Sequence, residues 1–431
     1  MTLEHLSPND VAVNPVLAEV VRSGFVESRH RGAVAALGAD GTFVFTAGSA
    51  NTPVFPRSAN KPLQAAAMLR AGLPLDGELL ALAAASHSGE DFHAQGVHDI
   101  LDLGGLTAAD LRCPPALPID EPTARRLIKA EDAPESRVRN NCSGKHAAML
   151  VTCIANEWPT ETYLDPTHPL QRHIRRTIEE LAREPVAATG VDGCGAPLFA
   201  LTLGGLARAF RALVLAEPGT PERRVADAFR KFPAWTSGTT RDENRLMTEV
   251  PGLLLKGGAE GVDAFALPDG SAAALKIEDG NARASTPVTV AILARLGAQP
   301  PAELATAAVR GGGAPVGEIH PVWLLRSAAR SCSGRWGAWA WWCAHASRLN
   351  VVDGPSTTFF GGRWAIDYVA EGLIWCAARV KRGAGGGSPA ARAAMIWPRR
   401  GANLAPWPEQ AEATTNGPRL SRMKSSVAVD V

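Results

Sequence analysis

The chain has 431 residues, of which 46% are apolar and 20% are charged. These proportions are ordinary for a water-soluble globular protein, and they allow one large domain or several smaller ones. The net charge of +1 gives no reason to expect nucleic acid or an acidic membrane as a partner. The sequence has no run of about 18 apolar residues, so we expect no membrane span.

The N-terminal residues and the cysteines bear on the compartment. Residues 1–15 include Glu4 and Asp10 but no basic start followed by an apolar run, which argues against a secretory signal. The seven cysteines are odd in number and irregularly spaced, which argues against a disulfide framework. We therefore predict a cytoplasmic protein in which residues 1–15 form an N-terminal extension.

The predicted elements fall into separate groups of strands and helices. Residues 31–47 predict two short strands around the turn Ala39-Asp40-Gly41. Apolar spacing then predicts helices over residues 61–70, 78–86, 92–103, 145–156, 170–182 and 198–215. Strands return at residues 252–256, 262–267 and 273–278, before a last helix at 286–296. Such segregation predicts an α+β domain with an antiparallel sheet and a helical middle region.

The composition changes after Pro321. Residues 322–431 contain nine of the eleven tryptophans, and 14 lysines and arginines against 6 acidic residues. This stretch has neither a helical nor a strand period, so we predict a C-terminal tail that is poorly packed or partly disordered. The predicted catalytic domain therefore spans residues 16–321.

The chemistry with the clearest physical rationale lies in Arg57-Ser-Ala-Asn-Lys61. Ser58 and Lys61 are three residues apart at a predicted helix start, so their side chains share one face. A neutral lysine amine in that position could accept the proton of the serine and make it a nucleophile. The spacing alone is weakly specific, because the same pattern recurs at Ser421 and Lys424 in the tail.

Four other segments place reactive groups in turns made of small residues: Ser86-His-Ser88-Gly-Glu90, Asn140-Asn-Cys142-Ser-Gly-Lys145-His146, Asp192-Gly-Cys194-Gly and Lys256-Gly-Gly258. Each group also has a structural interpretation. A serine or an aspartate may only shape a turn, a free cysteine is usually a small buried apolar residue, and a strand lysine may be a solvated edge charge. The histidines in these segments are more typical of structural residues than of catalytic bases.

Taken together and in this order, the five segments resemble the L-asparaginase family typified by the inducible rhizobial enzyme. The resemblance begins near Gly24-Phe-Val-Glu27-Ser-Arg-His30 and continues to Lys276-Ile-Glu-Asp279-Gly-Asn-Ala-Arg283. It fades after Pro321 and covers roughly seven-tenths of the chain. This resemblance implies the serine-β-lactamase and glutaminase-like fold, and hydrolysis of L-asparagine to aspartate and ammonia.

The resemblance also implies roles for individual residues. Ser58 would be the nucleophile activated by Lys61, and Ser88 would form a second pair with Lys256. Two neighbouring ammonium groups lower each other's pKa, which is consistent with a lysine base. Arg57 would bind substrate beside the nucleophile. The remaining implications are a homodimer and a zinc ion bound by a water and by Cys142, Lys145 and Cys194, with Asp192 next to it; spacing alone would not predict this metal site.

Three alternatives remain open. The same serine chemistry could act on glutamine, a β-lactam or a peptide, and only the family resemblance favours asparagine. The protein could be inactive because an aberrant tail, such as a translated wrong reading frame, compromises its fold. The arginines and tryptophans of the tail could stack on nucleic-acid bases, but no recognisable binding module surrounds them.

Overall fold

The computed structural model describes residues 13–130 and 135–322, together with the backbone of residues 369–370 and 373–374. The chain divides into two compact units, Met1–Trp342 and Cys343–Val431. In the second unit, the described backbone is an antiparallel pair of two-residue strands, Val369–Ala370 and Leu373–Ile374. The predicted disorder of the tail and most of the predicted N-terminal extension lie outside the described residues.

The described part of the first unit contains ten strands: β1 (Val16–Arg22), β2 (Phe25–Leu37), β3 (Phe43–Ala47), β4 (Thr189–Val191), β5 (Pro197–Phe199), β6 (Leu254–Gly258), β7 (Val262–Ala266), β8 (Ala272–Ile277), β9 (Ala307–Gly311) and β10 (Ala314–Pro321). Eight of them form one antiparallel sheet in the order β6-β7-β8-β2-β1-β10-β9, with β3 also paired to β2. Strands β4 and β5 form a separate antiparallel pair.

The helices of this described part are α1 (Lys61–Arg70), α2 (Gly77–Ala83), α3 (Asp91–Asp102), α4 (Glu121–Lys129), α5 (Ser143–Ala155), α6 (Pro169–Ala182), α7 (Leu203–Leu215), α8 (Pro221–Lys231), α9 (Pro233–Thr236), α10 (Asp242–Glu249) and α11 (Ser285–Arg295). Several begin where the sequence supplies an N-cap. Thr202 accepts a hydrogen bond from the Gly205 amide before α7, and Asp120 accepts one from the Thr123 amide before α4. The longest, α6, has 14 residues, and none in this part of the chain is long and apolar enough to cross a membrane.

The α+β prediction is confirmed, with strands at both ends of the unit and helices in its middle. The predicted helix at residues 61–70 coincides with α1. The predicted helix at residues 198–215 is wrong at its start, because residues 197–199 form β5 and the helix begins only at Leu203 after the Thr202 cap. Eight other elements were not predicted from the sequence: β1, β4, β9, β10, α4, α8, α9 and α10. Helices α4, α8 and α10 are short and rich in charged residues, which leaves few apolar positions to show a period, and α9 has only four residues.

The sheet and the helical layer enclose one core. Helix α7 packs against β2, β7 and β8, whereas α11 packs against β1, β7, β8 and β10. Strand β8 is accordingly buried along almost its whole length. Helix α1 is buried from Lys61 to Leu69 between neighbouring helices. A fully buried helix that begins with a lysine is unusual, since burying an unpaired charge is costly.

We expect Phe210→Ala to destabilise the protein by about 3–5 kcal/mol, because it removes a fully buried ring of α7 from the core. Urea denaturation followed by circular dichroism measures this change. Phe25→Ala is the matched control, since Phe25 is 73% exposed, and it should change stability by less than about 0.5 kcal/mol. Equal losses in the two variants would contradict this account of the core.

Candidate active site

The turn that precedes α1 presents Ser58. Residues Arg57–Asn60 form a 3₁₀ turn, and the Ser58 carbonyl accepts a hydrogen bond from the Lys61 amide. Because residues three apart are eclipsed in a 3₁₀ turn, this bond places Ser58 directly next to Lys61. Arg57 has a φ of 49°, in the left-handed region that non-glycine residues rarely occupy. Its guanidinium donates to the Asp192 carboxylate at 2.8 Å, which secures the strained residue.

The Lys61 amine lies in the interior with only 1% of the residue exposed. Its Nζ donates to the Ala85 carbonyl at 2.6 Å, to the Ser86 hydroxyl at 3.0 Å and to the Asn141 carbonyl at 3.3 Å. These acceptors match the three donors of an ammonium group. Among the described residues, the Lys61 amine makes no direct hydrogen bond to Ser58, although the two residues share one turn.

Ser86 is the functional candidate that sequence reasoning missed. It bonds to Lys61 and also lines the same cavity as Ser58. Ser88, predicted as the second catalytic serine, is 1% exposed and donates to the Ser237 carbonyl at 2.8 Å. A Cβ at Gly238 would collide with the Ser88 hydroxyl, so residues 237 and 238 enclose this serine. The segment Ser86-His-Ser88 contains two serines, and only their contacts distinguish them.

His87 fixes this turn. Its Nδ1 accepts from the Gly89 amide, so Nε2 is the protonated nitrogen, and it donates to the Ser143 hydroxyl at 2.8 Å. Ser143 in turn donates to the Val138 carbonyl. Burial lowers the pKa of His87 well below its ordinary value, with the nearby His93 as the next cause. This histidine is therefore a neutral structural link between the Ser86 turn and the start of α5.

Lys256 lies in β6, the strand that packs against the Ser58 turn. Burial, and then the charge of Lys61, lower the pKa of Lys256 to about 7. Its amine donates to the Gly257 carbonyl, and no bond to Ser88 exists among the described residues. The structure thus does not join the predicted second pair. At Gly258, an added Cβ would lie 2.5 Å from the Pro56 carbonyl oxygen and 3.2 Å from the Ser58 amide nitrogen, so only glycine fits there.

A cavity of about 490 Å³ connects these elements. One end is lined by Ser58, Ser86 and Asn141, and the two glycines of β6 form part of its wall. The other end is ionic, with the side chains of Arg241, Glu243, Asp263 and Ser285. A pocket with a nucleophile at one end and polar groups at the other is the usual form of a small-molecule site.

The predicted metal-binding residues also lie together. The Lys145 amine is 3.1 Å from the Cys194 sulfur, and the Asp192 carboxylate is 3.9 Å from that sulfur. A hydrogen bond from Cys142, together with the charge of Lys145, lowers the pKa of Cys194 despite its burial. Burial lowers the pKa of Lys145, but the attraction of Cys194 outweighs it and the pKa rises. The two shifts favour a thiolate at Cys194 next to an ammonium group at Lys145.

The chemistry of these donors fits zinc. Two cysteine sulfurs are suitable zinc ligands, and a metal can displace the protons that Cys142 and Lys145 hold. Within the described residues, no group of three His, Cys, Asp or Glu could hold a metal. Nearby, the buried Nε2 of His146 has no hydrogen-bond partner in the same part of the chain, whereas its Nδ1 lies 2.7 Å from the Tyr163 hydroxyl.

The predicted site residues thus form two adjacent clusters. Asn141 joins them, because its backbone carbonyl accepts from Lys61 while its side-chain oxygen accepts from the Cys142 thiol at 3.0 Å. Arg57 joins them a second time through its bond to Asp192. Of the predicted residues, Ser58 lines the cavity, and Lys61 is buried behind its wall and bonded to the cavity-lining Ser86.

Comparison with solved structures finds enzymes with low sequence identity. A β-lactamase from Mycobacterium bovis is 12% identical, with 62% of this chain and 94% of that chain covered and a TM-score of 0.37. A Bacillus glutaminase is 14% identical, with 62% of this chain and 91% of that chain covered and a TM-score of 0.28. No curated protein matches the chain significantly.

The family comparison is more extensive. The model of the L-asparaginase II family matches residues 18–321, which is more than two thirds of the chain. The matched span begins in β1 and ends with β10, so it includes the eight-stranded sheet except the first two residues of β1, and both clusters. The chain therefore belongs to the L-asparaginase II family and is an amidohydrolase.

Proposed function

We propose that the protein hydrolyses L-asparagine to L-aspartate and ammonia, with Ser58 as the nucleophile. The observation that supports this most strongly is the position of Ser58: it lines the cavity in the same turn as Lys61, whose buried amine is bonded to a second cavity-lining serine. A serine without a nearby base is a poor nucleophile, whereas a lysine-activated one can attack a carboxamide.

The first chemical step is acylation. The Ser58 hydroxyl oxygen attacks the side-chain amide carbon, and its proton passes to the neutral form of Lys61 directly or through the Ser86 hydroxyl. The carbon–nitrogen bond then breaks, the nitrogen takes up that proton and leaves as ammonia, and an ester joins the substrate to Ser58. In the second step, water attacks the ester with the same proton route, which releases aspartate and restores the hydroxyl.

Two further groups support these steps. Lys256 exchanges protons within the cavity, for which a pKa of about 7 suits it at neutral pH. The Ser58 amide nitrogen, which lies against Gly258, stabilises the oxyanion that forms when the carbonyl is attacked. Arg57, held by Asp192, keeps the nucleophilic turn in its left-handed conformation.

Zinc is proposed as the metal of the neighbouring cluster, where Cys142, Lys145 and Cys194 would hold it. Bound there, it would supply a fixed positive charge that holds the two clusters together beside the substrate. The chain position of Cys142 supports this structural role, because the preceding residue, Asn141, supplies a backbone carbonyl that accepts from Lys61. The homodimer and the cytoplasmic location stay predictions.

Replacing the proposed proton-transfer groups separates them from structural neighbours. We expect Ser58→Ala and Lys61→Met to lower kcat for ammonia release from asparagine by at least about 1,000-fold, since each removes the nucleophile or its base. Ser86→Ala should lower kcat by about 10- to 100-fold, because it removes a proton-transfer hydroxyl.

Ser88→Ala is the matched control for Ser86→Ala. It removes a buried hydrogen bond to Ser237, so its main effect should be a lower melting temperature. Its loss of kcat should be smaller than that of Ser86→Ala. Coupled-enzyme detection of ammonia measures the rates, and scanning fluorimetry measures stability. Full activity in Ser58→Ala, or a larger kcat loss in Ser88→Ala than in Ser86→Ala, would contradict the assignment. A parallel assay on glutamine, a β-lactam and a short peptide decides the substrate.

The rate should depend on pH through Lys256. Because burial and Lys61 disfavour its charged form, the amine loses its proton near pH 7, far below the ordinary 10.5. We expect kcat/KM to rise about tenfold per pH unit below that value and to level off above it. Lys256→Met should remove this inflection from the residual activity. An inflection that stays near pH 7 in that variant would assign it to another group.

Zinc content tests the cysteine cluster without an activity measurement. Purified protein should contain one zinc per chain by elemental analysis, and both Cys142→Ser and Cys194→Ser should lose it, because each removes a sulfur donor. Chelation of the wild type should lower its melting temperature. Cys153→Ser is the matched control, since this buried cysteine of α5 is not one of the proposed ligands. No zinc in the wild type, or equal loss in the control, would exclude the site.

A further inference from the structure

The ionic end of the cavity contains a buried polar group without a partner. Ser285, the first residue of α11, exposes only 6% of its surface, and its hydroxyl makes no hydrogen bond within the described residues. It lines the same cavity as Ser58. Buried hydroxyl groups are nearly always hydrogen-bonded in folded proteins. A cavity-lining hydroxyl with no partner in the protein is therefore available to a ligand.

Helix α11 makes the surroundings of Ser285 favourable for an anion. The helix has no side-chain cap and no acidic residue in its first turn. Ser285 and Thr286 at its start line the cavity, so the positive end of the helix dipole lies at this end. Because the Ser285 amide donates to the Ala282 carbonyl and Pro287 has no N–H, a carboxylate bound there would accept from the Ser285 hydroxyl.

Two carboxylates, those of Glu243 and Asp263, line the same cavity as this hydroxyl. A Cβ at Gly257 would lie 2.9 Å from a Glu243 oxygen and 3.1 Å from an Asp263 oxygen, so these oxygens are at most about 6 Å apart. One ammonium group can bridge two oxygens at that separation with two ordinary hydrogen bonds. The glycines of β6 leave the space beside them open, since neither has a side chain.

The charges in this cluster do not cancel. Arg241 donates to both oxygens of Glu243, at 2.9 and 3.2 Å, and thereby neutralises one carboxylate. Within the described residues, Asp263 accepts a hydrogen bond from a neutral donor, the Thr289 hydroxyl at 2.8 Å. Burial, and then the charge of Glu243, raise the pKa of Asp263 to about 6, so it is mostly ionised at neutral pH. Asp242 also lines the cavity and accepts from the neutral Thr286 hydroxyl, so the carboxylates at this end outnumber Arg241 and favour a cationic ligand.

We propose that this end of the cavity is the subsite for the charged backbone groups of an amino-acid substrate: Glu243 and Asp263 bind its ammonium, and Ser285 binds its carboxylate. The subsite rests on the proposed function, because Ser58 then meets the side-chain amide of the same molecule at the other end of the cavity. It restricts the enzyme to free amino acids, since a peptide would lose one or both charges.

Two analogues of asparagine test the two halves of the subsite separately. Succinamate lacks the amino group, and 3-aminopropanamide lacks the carboxylate, while both keep the scissile amide. The wild type should have a kcat/KM for asparagine at least about 100-fold above either analogue, because each leaves a buried polar group unpaired. Where an analogue is not hydrolysed, its inhibition constant against asparagine hydrolysis replaces kcat/KM.

The variants should show a crossed pattern. Glu243→Gln should lower kcat/KM for asparagine and 3-aminopropanamide by about tenfold or more and leave that for succinamate within about twofold. Ser285→Ala should lower kcat/KM for asparagine and succinamate by a similar factor and leave that for 3-aminopropanamide unchanged. Glu222→Gln and Ser271→Ala are matched controls, since Glu222 is paired with Arg70 and Ser271 is a buried serine, both outside this cavity. Neither control should change any of the three values.

The outcomes distinguish the two proposals. If the wild type releases ammonia from asparagine but each variant lowers kcat/KM equally for all three compounds, Glu243 and Ser285 are merely structural and the subsite is wrong. Unchanged values in both variants overturn it as well. If the wild type hydrolyses none of the compounds and asparagine does not bind, the proposed function itself fails. Should glutamine be the better substrate, glutaramate and 4-aminobutanamide replace the analogue pair.

Discussion

The arrangement of the site depends on the buried amine of Lys61. Its three hydrogen bonds are accepted by the Ala85 carbonyl, the Ser86 hydroxyl and the Asn141 carbonyl. These acceptors come from two separate parts of the chain, and each would be left without its donor if Lys61 were removed. The cost of burying the amine is offset only while all three remain in place, so the amine holds the cavity wall in one geometry.

That geometry connects the reactive serine to the cysteine cluster. Asn141 accepts from Lys61 with its backbone and from Cys142 with its side chain. Arg57 reaches Asp192 from the opposite side of the serine turn. A change at the cysteines can therefore alter the position of the Lys61 amine through these hydrogen bonds.

The cavity combines two different physical environments along one strand. Lys256 and Gly258 lie on the side of β6 that meets the serine turn, where burial and a second lysine favour a neutral amine. Gly257, one residue away, meets the carboxylates of Glu243 and Asp263. Neighbouring residues of a strand point to opposite faces. Two consecutive glycines therefore separate the Ser58 end of the cavity from its ionic end.

The sequence by itself determined the α+β class and the position of α1, because local periodicity encodes them. Short motifs indicated Ser58, Lys61 and Lys256 as candidates, whereas the cysteine cluster was predicted only through the family resemblance, because its spacing is not a metal signal. Only the tertiary structure distinguishes Ser86 from Ser88, since the two serines differ in their partners and not in their surroundings along the chain. The ionic end of the cavity also required it, because α10, β7 and α11 supply single polar residues with no local pattern. Long-range pairing likewise placed β9 and β10 in the sheet, which no local signal predicts.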